Sequence, residues 1–477
     1  MIIIVHTMLD QSFTAHNYEV IYCLESRKGN IDVRTMPHKY QATLVKLKEL
    51  KTDVHSVLQR KGHLSEAELL DLNAKKDELK KLREELKLEL HEYLESIEAQ
   101  VSSRDFKFSF SKFVTADGKE VFSINQDSHA HVFAMKQLQY NIRHTFKVKQ
   151  SNRHSILATI KTFLNSRIPV YVIRTDMSGF YESIPQEMLK SMIFSNTLLS
   201  NKSKSFINGI LCEYENTKDS DIVPASQGVP RGIGISSYLS EMYMRDIDAY
   251  ISTRKEVLFY ARYVDDIFII LNSLPIACSL AKYYDDLTAY FRTYGLTLKQ
   301  PDDGSGKCRL IDFTKADYTE PPMDYLGYCL YMTRVGKKLT TKFGMSMSKK
   351  SRYKEKIDHA IAHFETLSKC NVKQAYHDLF DSIKMITGNY KLFKSKNGVK
   401  VGLYYNNDLI DNLEELDELT RHLRDHAIEP YTGLRDRANV KRKIAKRISN
   451  IDFKQRWQER KMFKFTMQRM QELEEWL

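Results

Sequence analysis

The segment RYVDDIFII (residues 262–270) places two adjacent carboxylates, Asp265 and Asp266, inside an otherwise apolar run. The neighbouring residues are β-branched, aromatic or aliphatic, mostly types that are enriched in strands. Adjacent like charges repel each other, and burial raises that cost. A tight turn at Val264–Asp265–Asp266 would project both carboxylates at the tip of a β-hairpin, where a divalent cation could neutralise them. We therefore predict a strand, a turn and a second strand over 257–270, with a metal site at the turn.

A third carboxylate follows another apolar stretch. In IPVYVIRTDMSGFYES (168–183), Asp176 ends a predicted strand and precedes the small residues Ser178 and Gly179. Aspartate pairs alone are weak evidence, because turns favour Asp. Three carboxylates at the ends of adjacent strands, however, can hold two Mg²⁺ ions for phosphoryl transfer. We predict that Asp176, Asp265 and Asp266 are the catalytic residues and the metal ligands.

The chain as a whole is basic. Its 477 residues carry a formal net charge of +12, which favours a polyanionic partner, nucleic acid first and an anionic membrane second. An ordinary soluble basic protein is the alternative. The six cysteines form no C-x-x-C pair, so we expect reduced thiols in a cytoplasmic protein. The opening MIIIV is too short for a signal peptide, and no segment reaches the ~18 apolar residues of a membrane span.

Three regions differ in pattern. Residues 1–105 are predicted to form an N-terminal helical extension, in which Ser65 and Glu68 have capping-box spacing. Residues 106–340 alternate strand-like and helix-like stretches, and residues 341–477 are helical and basic. This order indicates an α+β core between helical flanks.

An apolar stripe runs through the N-terminal helices from Leu79 to Ile97 at steps of three and four residues. It would span about 27 Å of helix at ~1.5 Å per residue, which is long for packing against one small domain. The densely charged flank KKDELKKLREELK is typical of coiled coils. We therefore favour a homo-oligomer, with packing onto the chain's own body as the alternative.

Five segments follow one another along the chain: DMSGFYESI (176–184), VPRGIGISSYLSEMYM (229–244), YVDD (263–266), GLTLKQPDDGSGKCRLIDF (295–313) and YLGY (325–328). In their residues and in their order, these segments make the sequence over about residues 140–330 resemble the reverse transcriptases. The resemblance implies a right-hand polymerase with fingers and palm, followed by an α-helical thumb-like region. It also implies an RNA-directed DNA polymerase that uses dNTPs and two Mg²⁺ ions, with RNA and the DNA product as partners.

The resemblance also implies roles for single residues near the nucleotide. The backbone carbonyl of Met177 would join the metal ligands, and Tyr181 would lie beneath the incoming sugar, where its ring would clash with a 2′-hydroxyl. Arg231 stands where the family usually has Gln, and with Gly232 and Lys307 it is expected to contact the nucleotide.

Further contacts are expected outside these segments. Lys149 and Arg153 stand where phosphate-binding residues of the fingers are expected, with a solvated basic face as the alternative. The short hairpin at Tyr325, Leu326 and Gly327 is similar to the one that grips the primer.

The C-terminal region carries a dense basic stretch. Between residues 435 and 464 there are twelve Lys or Arg residues against three acids, with aromatic residues interleaved. Such a composition suits phosphate contacts and base stacking, and a solvated amphipathic helix is the alternative. The predicted nucleic-acid contacts here are Lys441, Arg442 and Lys443.

MITGNYKLFKSKNGVKVGLYYNN (385–407) resembles a helical-region motif of bacterial reverse transcriptases of the abortive-infection and unknown-group type. This likeness implies an antiviral defence role with an associated noncoding RNA as template.

Three activities are alternatives to RNA-directed DNA synthesis. The aromatic Tyr181 argues against an RNA-dependent RNA polymerase. Template-independent or protein-primed DNA synthesis by the same fold stays open, while the three carboxylates disfavour an RNA-binding scaffold with a relic palm.

One histidine pair has the spacing of metal ligands. His359 and His363 in HAIAH have i, i+4 spacing, but the sequence lacks the Glu of an H-E-x-x-H motif. No zinc is expected at this pair.

Overall fold

The computed structural model describes residues 10–28, 30–59, 65–115, 118–125, 128–149, 151–301, 303–304, 306–392, 398–428 and 438–477. The chain divides into two compact units. The first comprises Met1–Gln150, Asp176–Thr253 and Asp285–Lys299, and the second Ser151–Thr175, Arg254–Tyr284 and Gln300–Leu477.

The first unit is mainly helical. Numbered in chain order, its elements are α1 (Ala15–Lys28), α2 (His38–Gln59), α3 (Glu66–Ser102), β1 (Phe110–Val114), β2 (Glu120–Ile124), α4 (His129–Thr145), α6 (Phe180–Ser183), α7 (Gln186–Phe194), α8 (Asn201–Thr217) and α9 (Ser236–Ser252). Strands β1 and β2 pair antiparallel. Helix α10 (Leu280–Thr293) runs from the second unit into the first.

The predicted N-terminal helices are present in the first unit. Helix α3 begins with a complete capping box between Ser65 and Glu68, which satisfies backbone donors of the first turn. Helices α2 and α3 bury a shared apolar cluster that contains Leu47 and Leu79. The break between them, at residues 60–64, lies outside the described residues.

The apolar stripe of α3 is largely covered by the chain itself. Leu94, Ile97 and Val101 are buried, and α3 contacts α1 and α4 as well as α2. Leu82 packs at the edge of the cluster shared with α2. Three helices of the same chain thus supply contacts to this stripe, which agrees with the alternative of intramolecular packing, and the homo-oligomer stays a prediction.

The second unit contains two sheets and a helical C-terminal part. Its elements are α5 (Arg153–Phe163), β3 (Tyr171–Asp176), β4 (Val257–Tyr263), β5 (Asp266–Leu271), β6 (Arg309–Asp312), β7 (Tyr318–Tyr325), β8 (Tyr328–Val335), β9 (Lys338–Met345), α11 (Met347–Leu367), α12 (Val372–Thr387), β10 (Asn389–Lys391), β11 (Lys400–Gly402), α13 (Glu414–Ile428), α14 (Ala438–Ser449), α15 (Phe453–Gln458) and α16 (Met467–Glu474). The larger sheet has the strand order β4-β5-β3-β6, and the smaller one β7-β8-β9.

Strands β3 and β5 are the interior strands of the larger sheet. Val172 to Asp176 are buried, as are all residues of β5 after its first. Such continuous burial is what a short apolar run of β-formers predicts. The division between the units falls after Thr175, so Asp176 ends a strand whose paired strands all lie in the second unit.

The predicted hairpin over 257–270 is confirmed. Strands β4 and β5 pair antiparallel with Tyr263 opposite Asp266, which leaves Val264 and Asp265 as a two-residue turn. Two-residue hairpin turns need a positive φ, and Val264 has φ +60°. A β-branched residue there is strained, and such strain is concentrated at functional sites.

The C-terminal part of the second unit is mostly helical, in agreement with the pattern of residues 341–477. One local expectation differs. The segment 385–407 was compared with a helical-region motif, but after α12 it forms the short antiparallel hairpin β10–β11, whose loop at 393–397 lies outside the described residues. Among the described residues, no helix is long and apolar enough to cross a membrane.

Candidate active site

The sheet of the second unit brings the three predicted carboxylates together. Asp176 ends β3, Asp265 lies in the β4–β5 turn, and Asp266 begins β5, the strand next to β3. One carboxylate oxygen of each lies within 4.8 Å of the others. Asp176 is only 3% exposed, while the other two are half-buried. The predicted proximity is therefore confirmed, and the catalytic role of the three stays a prediction.

The carboxylate triad suits hard divalent cations. Its donors are all carboxylate oxygens, the ligands that Mg²⁺ prefers. Their spread of up to 4.8 Å can accommodate ions about 3.5–4 Å apart, as in two-metal sites. Three negative charges this close to one another would also repel strongly without a cation. The residues present therefore fit a divalent metal centre.

Arg174 is a site residue that the sequence analysis missed. Its Nη2 donates to Asp266 Oδ1 at 3.0 Å, and its Nη1 donates to the backbone carbonyl of Lys307. The guanidinium is buried, with the residue 6% exposed. Arg174 lies two residues before Asp176, and therefore on the same face of β3. The sequence feature that could have identified Arg174 is its charge in the otherwise apolar run VYVIR.

The backbone that follows β3 is held by the segment after α10. Ser178 N–H donates to Thr297 O at 2.9 Å, and Lys299 N–H donates to Asp176 O at 2.9 Å. Between them, Met177 forms an isolated antiparallel bridge with Leu298. These bonds fix the main chain at Met177, whose carbonyl is the predicted additional metal ligand.

Tyr181 lies in the one-turn helix α6 and contacts Arg231. The Arg231 guanidinium is 5.2 Å from the centre of the Tyr181 ring, within cation–π range. The same guanidinium pairs with both carboxylate oxygens of Glu182, at 2.9 and 3.1 Å. Glu182 and Arg231 therefore hold the tyrosine ring on one side. Glu182 is a second positioning residue that the sequence analysis missed.

Gly232 makes a close approach, but to the chain's own strand. Its φ is +96°, and a Cβ would lie 2.5 Å from Phe122 O and 2.6 Å from Val121 Cγ1 in β2. Phe122 N–H also donates to Arg231 O at 2.7 Å. Residues of β2 occupy the space beside its Cα, and nucleotide contact by Gly232 stays a prediction.

Lys149 and Lys307 are both exposed. Lys149 lines a cavity of about 210 Å³ in the first unit, together with Glu241 and Arg245 of α9. Lys307 lies in the second unit, just before β6, and Arg174 binds its backbone carbonyl. Nucleotide contacts by these two lysines stay predictions.

The β7–β8 turn contains the three residues predicted to grip the primer. Leu326 and Gly327 form the turn with positive φ angles. Tyr325 is only 1% exposed and packs on Phe268 with a ring-centroid distance of 5.0 Å. Burial, together with the nearby Asp266 charge, raises its pKa. The Tyr325 ring therefore belongs to the core, and nucleic-acid contact by this turn stays a prediction.

A basic cavity of about 500 Å³ lies beside this turn in the second unit. We call it the α11 cavity. Its lining combines four cationic side chains with four tyrosines, a composition that suits phosphate contact and base stacking. The residues are Arg153, Lys349, Arg352, Lys356, Tyr328, Tyr353, Tyr390 and Tyr405. Only Arg153 was predicted, although the run KKSRYKEK (349–356) was a visible signal.

Lys349 is the most constrained cation of the α11 cavity. Its Nζ donates to Asn406 O at 2.9 Å and to Asn407 Oδ1 at 2.8 Å, and lies 4.5 Å from the Tyr328 ring centre. Burial, followed by the positive charges of Arg153 and Arg352, lowers its pKa to about 8. A proton on this lysine is therefore lost within a readily accessible pH range.

Helix α14 carries the predicted C-terminal contacts, Lys441, Arg442 and Lys443, which we call the α14 basic cluster. Arg442 and Lys443 are exposed, whereas Ile444 is buried. The side chain of Lys441 lies outside the described residues. The helix is amphipathic with a basic exposed face, so RNA binding by this cluster stays a prediction.

Residues 113–330 match the family model described as "Reverse transcriptase (RNA-dependent DNA polymerase)". This segment, which is less than half of the chain, is therefore similar to that family, whose α+β architecture is that of fingers and palm. The enzyme class of that family is RNA-directed DNA polymerase, a nucleotidyltransferase. Members of this family typically use divalent metal ions, in agreement with the donor set of the triad.

Solved structures similar to the chain include telomerases from Candida. One from Candida albicans, in complex with a TWJ fragment of telomeric RNA, has a TM-score of 0.34 and 11% identity, and the match covers 72% of this chain and 62% of that one. Apo telomerase from Candida tropicalis has a TM-score of 0.37 and 15% identity, with 72% and 60% covered. The chain thus spans less than two thirds of the length of these structures. No curated protein matches the chain.

Proposed function

We propose that the chain is an active RNA-directed DNA polymerase, with Mg²⁺ held by Asp176, Asp265 and Asp266. The observation that carries this proposal is the convergence of these carboxylates on adjacent strands of a reverse transcriptase domain. In the reaction, a primer 3′-hydroxyl attacks the α-phosphorus of a dNTP and pyrophosphate leaves. The bound ions would lower the pKa of that hydroxyl and stabilise the charge on the leaving group.

The protein side chains orient the reacting groups. Arg174 fixes one carboxylate oxygen of Asp266, which holds this ligand in one rotamer before a metal arrives. Tyr181, braced by Arg231, selects the deoxyribose by excluding a 2′-hydroxyl. Lys307 would contact the triphosphate, with Lys149 a further candidate.

Nucleic acid would be bound by basic surfaces of the second unit. Phosphates of RNA or DNA would enter the α11 cavity, where Arg153 and Lys349 supply charge and the tyrosines supply stacking surfaces. The α14 basic cluster would add contacts to the RNA backbone. In this assignment, residues 1–105 are an N-terminal extension, 106–340 fingers and palm, and 341–477 the thumb-like region.

The biological setting that we infer is bacterial antiviral defence in the cytoplasm, with an associated noncoding RNA as template. Its support is the likeness of residues 385–407 to abortive-infection and unknown-group enzymes.

The test is incorporation of labelled dNTPs on an RNA template with a DNA primer, in Mg²⁺. Wild type should extend the primer, and Asp265→Asn should lose at least about a thousandfold, because a metal ligand that stabilises transition-state charge is removed. Asp53→Asn, on the exposed face of α2, is the matched control and should keep full activity. Retained activity in Asp265→Asn would overturn the site assignment. DNA synthesis by wild type without RNA or primer would instead indicate template-independent or protein-primed synthesis.

A further inference from the structure

Two helices of the second unit place three metal-binding side chains together, away from the carboxylate triad. His422 and His426 are one turn apart on α13, so they project from the same face. Their rings stack with centroids 4.0 Å apart. Asp358 of α11 faces them, with its Oδ1 2.9 Å from His422 Nε2 and 3.4 Å from His426 Nδ1.

The spacing of these atoms matches the edges of a metal coordination polyhedron. Zinc binds imidazole nitrogen and carboxylate oxygen at about 2.0–2.2 Å, so two ligand atoms of a tetrahedral site lie about 3.3–3.6 Å apart. The observed contacts of 2.9 and 3.4 Å converge on a single oxygen of Asp358. All three ligand atoms lie within 4.8 Å of one another. Small side-chain rotations would therefore place a cation between them.

The donor set differs from that of the carboxylate triad. Two imidazoles and one carboxylate suit zinc and neighbouring transition metals, whereas an all-carboxylate set suits Mg²⁺. Three protein ligands leave a fourth position for water. Metal has an entry path, because the side chains of Asp358 and His426 are 44% and 54% exposed. His422 is 15% exposed and forms the inner side of the cluster.

We propose that Asp358, His422 and His426 form a second metal site, for a divalent transition metal of the zinc class, that links α11 to α13. The site lies two residues beyond Lys356, in the helix that supplies Lys349 and Arg352 to the α11 cavity. Metal bound here would fix that part of α11 against α13. The ion would therefore stabilise the basic wall of the cavity without taking part in nucleotidyl transfer.

One member of the pair His359 and His363, noted in the sequence, makes contacts outside the proposed site. His363 stacks on Trp476 with ring centroids 4.0 Å apart and lies 3.3 Å from Asp378 Oδ2. It thus pairs with a single carboxylate within a packed environment. His363→Gln is therefore a matched control, since it removes a histidine of α11 that contacts an aspartate outside the proposed site.

The test is metal binding by the full chain in millimolar Mg²⁺, which occupies the carboxylate triad. Zinc retained after dialysis is measured by elemental analysis, and Co²⁺ is titrated while its visible d–d absorption is recorded. Wild type should bind one equivalent of zinc and show the intense d–d bands of a site with fewer than six ligands. His426→Gln and Asp358→Asn should each weaken binding at least tenfold, and His363→Gln should bind like wild type.

A thermal scan supplies a second readout that is independent of polymerase activity. Zinc at a hundred times its Kd should raise the folded-to-unfolded ratio about a hundredfold, and therefore raise Tm in wild type and in His363→Gln only. If the Asp358 and His426 variants bind zinc as tightly as wild type, or if wild type binds no stoichiometric zinc, the proposal is overturned. The three side chains would then form only ordinary histidine–aspartate contacts. A thiolate charge-transfer band of Co²⁺ would assign the metal to a cysteine such as Cys370, and would equally overturn the proposal.

Discussion

We predict that nucleic-acid affinity depends on pH through the charge of one side chain, Lys349. Its pKa is lowered to about 8 from 10.5 because the side chain is buried and lies near Arg153 and Arg352. From that pKa, the protonated fraction falls from about 90% at pH 7 to about 10% at pH 9. If nucleic-acid binding in the α11 cavity needs the protonated form, affinity should fall by about tenfold over this range, which is about 1.4 kcal/mol.

The assay is the Kd for an oligo(A) RNA, measured by fluorescence anisotropy at several pH values and constant ionic strength. Lys349→Arg is the matched variant, because arginine keeps its charge across the whole range. Its affinity should change little between pH 7 and 9. Other charged groups that face Lys349 include His154 and Asp408, and both are present in the variant, so their effects cancel in the comparison.

Folding stability should respond to pH in the opposite direction. The unfolded chain keeps the Lys349 proton up to about pH 10.4, whereas the folded chain loses it near pH 8. The unfolded state therefore binds more protons between these values, so the contribution of Lys349 makes stability rise with pH. Lys349→Arg should lack this rise in denaturant titrations. Identical pH profiles of wild type and variant, in both affinity and stability, would refute the reasoning.

Three further substitutions test separate parts of the account. Tyr181→Ala should admit rNTPs with only a modest loss on dNTPs, and equal use of rNTPs by wild type would contradict the role given to the ring. Gly232→Ala should cost on the order of 2 kcal/mol or more in urea unfolding, since its Cβ would meet Phe122 O. Gly118→Ala, with positive φ and open space, is its control, and an equal cost in both would point to φ strain alone. Replacing the α14 basic cluster with three glutamines should flatten the slope of log K against log salt by about two to three units, and an unchanged slope would assign the cluster to a solvated face.

The active-site hairpin could be predicted because its determinants are local. Strand-forming residues flank Asp265 and Asp266, and a two-residue turn is the short connection that such a pattern allows. The capping box at Ser65 could likewise be predicted, because both partners lie within one helical turn. The position of Asp176 beside them needed one further assumption, that two apolar strands are neighbours in the sheet.

Contacts between residues that are distant in the chain could not be predicted from the sequence. Arg174 acts on Asp266, which is 92 residues away, and Asp358 lies 64 residues from His422. Nucleic-acid contact was predicted for Tyr325 because YLGY resembles a hairpin that grips the primer, and the sequence did not show that the Tyr325 ring packs in the core. The α3 stripe was assigned to a partner protomer because the sequence does not show that α1 and α4 cover it.

The central claim, that Asp176, Asp265 and Asp266 hold the ions that drive nucleotidyl transfer, is tested most directly by locating the ions. A crystal of the chain with primer, RNA template, a non-hydrolysable dNTP and Mn²⁺ would show them by anomalous scattering. We predict two peaks about 3.5–4 Å apart, each in contact with at least one of the three carboxylates, and loss of at least one peak in Asp265→Asn. Mn²⁺ bound elsewhere, with the nucleotide in place and no peak at the triad, would contradict the account.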